Sequence, residues 1–325
     1  MKVVVTDYIE PDLKWEAAEM ARRGIEFAAH QLKFTGAARV IEATRDADVV
    51  VVNMVPVTAE IVSGWERCRL LIRHGVGYDN VDLAALERAR IPCCYIPDYC
   101  TEEVAEHAIM LMLACARRIE TSRKVLDDSS RRGQWDFAEV IPIWRIAGRT
   151  VGILGCGRIG SRVYQKLQSF GVDFRIVDPY LSQERKRELG IEVVDLETML
   201  RESDYVTVHT PLTRETRHIV NRRTLAMMKP TAYLVNTSRG PMVDTEALAE
   251  ALNRGTIAGA AIDVFEREPP PPDHPLFSAR NVILTPHLAW YSEDAAWRIR
   301  ELIVLEIDRF TAGLPPRYVA KAEAV

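Results

Sequence analysis

Short continuous apolar runs alternate with stretches of helical period along most of the 325 residues. The runs "KVVVTD", "ADVVVVN" and "LLIRHG", interspersed with helical patterns from Asp12 to Arg22 and from Asp82 to Arg90, predict a first α/β unit. Val- and Ile-rich runs bounded by turn residues suit strands buried on both faces of a parallel sheet. A second set begins at "TVGILG" and continues through "FRIVD", "YVTVHT", "TAYLVN", "AGAAID" and "NVILT". Within it "TEALAEALNRG" reads as a helix capped by Asp244 and closed by Gly255.

Between the two sets, "TEEVAEHAIMLMLACARRIE" carries apolar residues at Val104, Ala108, Leu111, Met112 and Cys115, a helical period that predicts a long helix over Glu102 to Arg118. A helix this apolar serves either a core or a subunit interface. The segment Asp127 to Arg149 is poorly periodic and reads as an arm with two exposed anchors, Trp135 and Trp144. Near the end, Ser292 to Ala312 is amphipathic, with apolar positions Ile299, Ile303, Leu305, Ile307 and Phe310. No strand remains for it to serve, so it is expected to return to the first domain and make that domain discontinuous.

Composition removes several classes of protein. Hydrophobic residues make up 48% and charged residues 27%, a balance that supports a large core, and the length favours two domains. With 42 basic and 46 acidic residues the net charge is -4, and the arginine pairs are scattered, so nucleic acid is not an expected partner. The six cysteines lack the paired C-x-x-C spacing of a zinc site. They read as reduced thiols of a cytoplasmic protein without a metal. The start "MKVVVTDY" has neither the apolar length nor the cleavage site of a signal peptide, and no stretch approaches the roughly 20 apolar residues of a membrane span.

"TVGILGCGRIG" places Gly155, Gly157 and Gly160 after a strand and at the mouth of a helix that begins at Arg158. The first glycine permits a tight turn, the second lets backbone approach a pyrophosphate, and the third lets helix and strand pack closely. The helix amino terminus then faces the phosphates. A lone G-x-G-x-x-G is weak, but here the next strand, "FRIVD", ends in Asp178, 18 residues beyond Gly160. A carboxylate there can accept the ribose hydroxyls and repel a 2′-phosphate, which favours NAD over NADP. The expected fold is therefore α/β, with two doubly wound parallel-sheet (Rossmann-like) domains and a cleft between them. Residues 1–98 plus 289–325 form a flavodoxin-like substrate (catalytic) domain and 99–288 the NAD-binding Rossmann domain.

Three further residues stand at the carboxyl ends of later strands, where ligands bind in open α/β sheets: Arg239 after "YLVNTS", Glu268 in "FEREPP" and His287 in "LTPHLAW". Each alone is more often a surface or structural group than a catalytic one. With "HGVGYDNVD", "TEEVAEHA", "GILGCGRIG", "VNTSRGPMVD" and "AAIDVFEREPP" in order, the chain resembles the NAD-dependent D-isomer-specific 2-hydroxyacid dehydrogenases over almost its whole length.

The resemblance implies that Arg239, Glu268 and His287 are the catalytic trio. His287 is the acid/base, Glu268 orients it, and Arg239 holds the substrate carboxylate and polarises the carbonyl. It further implies Arg158 and Ile159 by the pyrophosphate, Thr210 and Pro211 on the adenosine side, and Thr237 and Asp263 by the nicotinamide. Asn53, Met54, Val76 and Gly77 meet the substrate from the first domain. After His287 the pattern departs from the usual small residues, and "LAWYSE" looks like the carboxyl-terminal binding protein corepressors. Trp290 is expected to wall the pocket, which with Met54 points to an aliphatic or thioether 2-oxo acid rather than a phosphorylated one.

The expected activity is interconversion of a 2-oxo acid and its D-2-hydroxy acid by a homodimer. The rival is an NAD(H)-sensing scaffold that binds partner peptides, against which stands the proximity of both sequence ends to predicted elements. A hydrolase using NAD transiently is a third reading, lacking identifiable extra catalytic groups.

Overall fold

The computed structural model describes residues 1–321, which fall into two compact units, Met1–Cys100 with the chain from Tyr291 onward, and Thr101–Trp290. The first unit holds five parallel strands: β1 (Lys2–Val5), β2 (Glu26–Ala29), β3 (Val49–Val52), β4 (Leu70–Arg73) and β5 (Cys93–Tyr95). Their order is β2-β1-β3-β4-β5, the flavodoxin-type winding. All four residues of β3 are buried, as expected of a central strand covered on both faces.

Two strands of this sheet escape sequence reading for physical reasons. β2 lies at the sheet edge and has no fully buried residue, so its sequence "EFAA" lacks an apolar run. β5 is three residues long and sits between Pro92 and Pro97. On one face, the helix Glu293–Thr311 buries Ile299, Leu302, Ile303 and Ile307 against Val3, Val5, Met20 and Ile72. Each such side chain contributes roughly 1.5–3 kcal/mol relative to exposure. That packing is what makes this unit discontinuous in sequence. Ser292 caps the helix by accepting the Ala295 N–H.

The second unit holds β6 (Thr150–Leu154), β7 (Asp173–Val177), β8 (Tyr205–Val208), β9 (Tyr233–Asn236), β10 (Gly259–Ile262) and β11 (Val282–Leu284), all parallel, in the order β11-β10-β9-β8-β6-β7. A single parallel bridge from Ile176 to Val193 adds a vestigial seventh position beyond β7. With it, the winding is that of a dinucleotide-binding sheet, and the strand order reverses between β6 and β8. Asp244 and Gly255 cap the helix Thr245–Arg254 as the sequence predicts, Asp244 accepting the Ala247 N–H and Gly255 adopting a positive φ.

The apolar helix of the sequence runs Thr101–Ala116 and contributes to the core of this unit. Ala105, Ala108, Leu111, Met112 and Cys115 pack with Val151, Ile153, Leu167 and Val235 of the same unit. The arm differs from its sequence reading, because the end of a helix, Ile119–Arg131, occupies residues 127–131. Ten of its thirteen residues are charged or hydroxyl-bearing, which hides the period from a hydrophobicity reading. Beyond it Trp135 and Trp144 are 83% and 51% exposed. Among the described residues no helix is long and apolar enough to cross a membrane.

Candidate active site

The loop between β6 and the helix Arg158–Leu167 lies where the strand order reverses. Gly155 has φ +91°, and a side chain on it would strike the His209 backbone at 2.8 Å and the Thr210 methyl at 2.6 Å. At Gly160 a Cβ would meet the Gly155 carbonyl oxygen at 1.9 Å, so helix and loop touch only because this residue has no side chain. Nothing lies within 4 Å of the corresponding position on Gly157, which caps the helix. Two glycines are therefore demanded by the protein itself, and the third faces open space in front of a helix amino terminus. That is the cradle a pyrophosphate needs.

Asp178, the residue after β7, accepts N–H bonds from Cys156 at 2.8 Å and from Tyr180 at 3.0 Å, one on each oxygen. The carboxylate is thus fixed beside the glycine loop. Ile159 packs into the unit's core from the first turn of the helix that Arg158 begins. Thr210 and Pro211 follow β8, and the Pro211 carbonyl accepts the Thr216 hydroxyl. Behind this loop the His209 ring contacts the Thr207 hydroxyl at 2.9 Å, and burial drives its pKa down to about 3, so it stays neutral.

At the next strand ends, Asp263 follows β10 and donates its N–H to Asn236, the last residue of β9, so Thr237 and Asp263 end neighbouring strands. The Thr237 hydroxyl oxygen is buried and has no hydrogen-bond partner within the protein. A buried hydroxyl left open at this edge fits a polar ligand such as the carboxamide of a nicotinamide. The donor set and the glycine cradle accordingly suit NAD.

His287 sits in a turn with φ +55°, a conformation that a side-chain-bearing residue adopts only when its surroundings impose it. Those surroundings centre on Asp263, whose side chain is fully buried. Its carboxylate accepts the Leu288 N–H at 2.9 Å, the Ala289 N–H at 3.0 Å and the Thr285 hydroxyl, while its carbonyl accepts the His287 N–H at 2.7 Å. His107 Nε2 adds a contact to the Thr285 hydroxyl at 3.2 Å, and burial lowers this ring's pKa against the opposing pull of Asp263.

The outcome is that His287 Nδ1 lies 2.7 Å from Glu268 Oε2. The other Glu268 oxygen accepts the Phe265 N–H at 3.0 Å. Burial pushes the Glu268 carboxyl upward, but the His287 hydrogen bond and charge, the Phe265 N–H and the nearby Arg239 charge outweigh it and hold the group below the ordinary value of 4.5. Arg239 follows β9, with its guanidinium donating to the Ser238 carbonyl at 2.8 Å, and its own carbonyl accepts the Asn236 amide. Trp290 lies half-buried three residues beyond His287.

In the first unit, the predicted substrate residues occupy two strand-end loops. Asn53 and Met54 follow β3, with Asn53 buried, and Val76 and Gly77 lie in the loop after β4. The residues that sequence reading missed are supports: His107, Thr285, Asp7 and Asn80. Each lies inside or beside a motif quoted above, but none stands out by type or spacing. Among the described residues no group of three or more His, Cys, Asp or Glu is arranged to hold a metal ion.

A nucleotide cradle at a switch point, with a carboxylate-oriented imidazole at neighbouring strand ends, defines a nicotinamide-dependent oxidoreductase. Residues 109–289, more than half of the chain, match the D-isomer specific 2-hydroxyacid dehydrogenase, NAD binding domain family. The glyoxylate reductase of Korarchaeum cryptofilum is 40% identical over 286 residues, covering 86% of this chain and 85% of that protein. Among solved structures, D-lactate dehydrogenase from Aquifex aeolicus complexed with NAD and lactic acid superposes with TM-score 0.83 at 29% identity, covering 96% of each chain. The NADPH-dependent glyoxylate/hydroxypyruvate reductase of Sinorhizobium meliloti, in complex with NADP and malonate, does so with TM-score 0.84 at 29% identity, over 99% of this chain and 97% of that one. The chain belongs to the D-isomer specific 2-hydroxyacid dehydrogenase family. It is an NAD-dependent oxidoreductase that interconverts 2-oxo and 2-hydroxy acids, and the comparisons favour this activity over a scaffold role.

The depressed Glu268 carboxyl makes a prediction about acid stability. A group whose folded value lies below 4.5 stabilises the fold fully above that pH and loses the contribution as pH falls below it. Glu268→Gln is expected to flatten the fall of the urea midpoint below pH 4.5 relative to the parent chain. Parallel acid limbs for the two proteins would remove the ion pair from the account.

Proposed function

We propose that His287 is the proton carrier of the reaction, with Glu268 as its orienting partner and Arg239 as the cationic group for the substrate. The observation that carries this reading is the 2.7 Å pairing of His287 Nδ1 with Glu268, which leaves Nε2 as the ring nitrogen for substrate. NAD supplies a hydride acceptor or donor when bound. In reduction the carbonyl oxygen gains a proton, and His287 delivers it from Nε2 while Glu268 keeps the imidazolium oriented. Arg239 pairs with the carboxylate and draws charge from the carbonyl. The backbone N–H groups of Val76 and Gly77 are assigned to the same carboxylate, and Asn53, Met54 and Trp290 to the rest of the substrate.

The substrate we propose is an unphosphorylated 2-oxo acid, from glyoxylate to short aliphatic or thioether acids. Relatives named glyoxylate reductase support its small end, and Met54 and the half-buried Trp290 support an apolar side chain. Preference for NAD over NADP follows from Asp178, because a fixed anion repels a 2′-phosphate. The partner is a second copy of the chain. Exposed Ile119, Trp135, Phe137, Ile141 and Trp144 form the apolar surface for it. Six free, buried cysteines agree with a reducing, cytoplasmic setting.

Following NADH absorbance with glyoxylate, pyruvate and 2-oxo-4-methylpentanoate tests the central reading. His287→Gln is expected to lose reduction by about three orders of magnitude or more while keeping NADH affinity. Retained turnover in that variant refutes the role. For the cofactor, Asp178→Ala should narrow the ratio of kcat/KM with NADH to that with NADPH at least tenfold, and an unchanged ratio removes the ribose contact. Sedimentation at micromolar concentration should show a dimer that Trp135→Lys combined with Phe137→Lys weakens. A monomeric parent chain counts against the arm as an interface.

A further inference from the structure

The loop Asn53–Val55 has almost no backbone group left for water. The Asp7 carboxylate, 3% exposed, accepts the N–H groups of Asn53 at 3.2 Å, Met54 at 2.7 Å and Val55 at 3.4 Å, along with the Thr6 hydroxyl at 2.8 Å. From the other side the Asn80 amide nitrogen donates to the carbonyls of Asn53 at 3.1 Å and Val55 at 3.0 Å. Asn80 belongs to the loop after β4, three residues beyond Gly77. Its own carbonyl accepts the Val57 N–H at 2.8 Å, and Val57 and Val81 form a parallel bridge. The two strand-end loops are therefore one hydrogen-bonded body, and Asn80 is the side chain that joins them.

We propose that Asn80 is a positioning residue for the reaction. It sets the spacing between the Asn53–Met54 contact and the Val76–Gly77 N–H groups, so that one 2-oxo acid meets both. The inference rests on the reading above that these two loops hold substrate. Among uncharged side chains, only a primary amide offers two protons to two carbonyls at once, and asparagine is the short one. Aspartate has nearly the same shape, yet turns a carboxylate toward both oxygens. The Met54 backbone is fixed, its N–H held by Asp7 at 2.7 Å.

The test combines kinetics with amide hydrogen exchange. In the full-length parent protein the Met54 amide is expected to exchange slowly, and Asp7→Asn should speed it; fast exchange in the parent overturns the lock whatever the variants do. Asn80→Ala should raise KM for glyoxylate about tenfold with kcat changed less than threefold and NADH affinity within twofold. Asn80→Asp should be worse. Met54→Ala serves as the control on the site itself, and should change the relative KM of glyoxylate and 2-oxo-4-methylpentanoate. If Met54→Ala does so while both Asn80 variants keep the parental KM, the positioning role is wrong and the site stands. If Met54→Ala and both Asn80 variants all leave KM untouched, the loop is not a substrate contact and both readings fall. Equal losses in KM, kcat and NADH affinity for folded Asn80 variants also overturn the role, since they report general loosening.

Discussion

The fully buried carboxylate of Asp263 is the constraint on which the geometry around His287 depends. An anion withdrawn from water is costly unless its oxygens are satisfied, and here two backbone N–H groups and a hydroxyl satisfy them. Those donors all come from the segment Thr285–Ala289, so satisfying the carboxylate and folding the turn are the same event. The positive φ of His287 is unfavourable by itself and persists because any relaxation would unpair the anion. Hence the imidazole meets Glu268 without help from a ligand. The ring proposed as proton carrier is oriented by the protein alone, which is where electrostatic preorganisation draws its advantage.

The first unit uses the same device with a different strand end. Asp7, after β1, gathers the N–H groups of the loop after β3, just as Asp263, after β10, gathers those of the turn after β11. In both cases the aspartate is a few residues past a buried parallel strand, and its targets lie past another. Parallel strands aim all their carboxyl ends the same way, so a short acidic side chain at one end reaches the backbone of another loop. A doubly wound sheet is thereby able to fix loops that have no secondary structure of their own. The loops that carry Asn53, Met54 and His287 owe their shape to buried carboxylates from elsewhere in the chain.

This explains what was legible in the sequence. The candidate strand-end residues could be picked out because Gly155, Gly160 and Asp178 have spacings that follow from local geometry, and Arg239, Glu268 and His287 each follow an apolar run. The central strands could be read because burial on both faces gives runs such as "VVVV". Neither β2, with its exposed positions, nor the three-residue β5 produces such a signal. The helix Ile119–Arg131 was missed because it is polar over most of its surface. The supports were invisible for a different reason. Asp7, Asn80 and Thr285 act through pairings separated by many residues in sequence, and an aspartate or asparagine near a strand end looks locally like any turn residue.

On the reading proposed above, cofactor choice in this chain turns on how rigid the Asp178 carboxylate is. The similar structures include one bound to NAD and one bound to NADP, so the common fold does not decide it. In this chain both Asp178 oxygens are tethered, one to the glycine loop through Cys156 and one to its own turn through Tyr180. A mobile carboxylate could swing aside and let a 2′-phosphate enter, whereas this one can move only by breaking a bond that also shapes the phosphate cradle. On the proposed ribose contact, repulsion of a 2′-phosphate would act at fixed distance, with the remaining lone pairs of both oxygens open to ribose hydroxyls. The proposed discrimination would be built from the same hydrogen bond that holds the glycine turn, so loosening one would loosen the other.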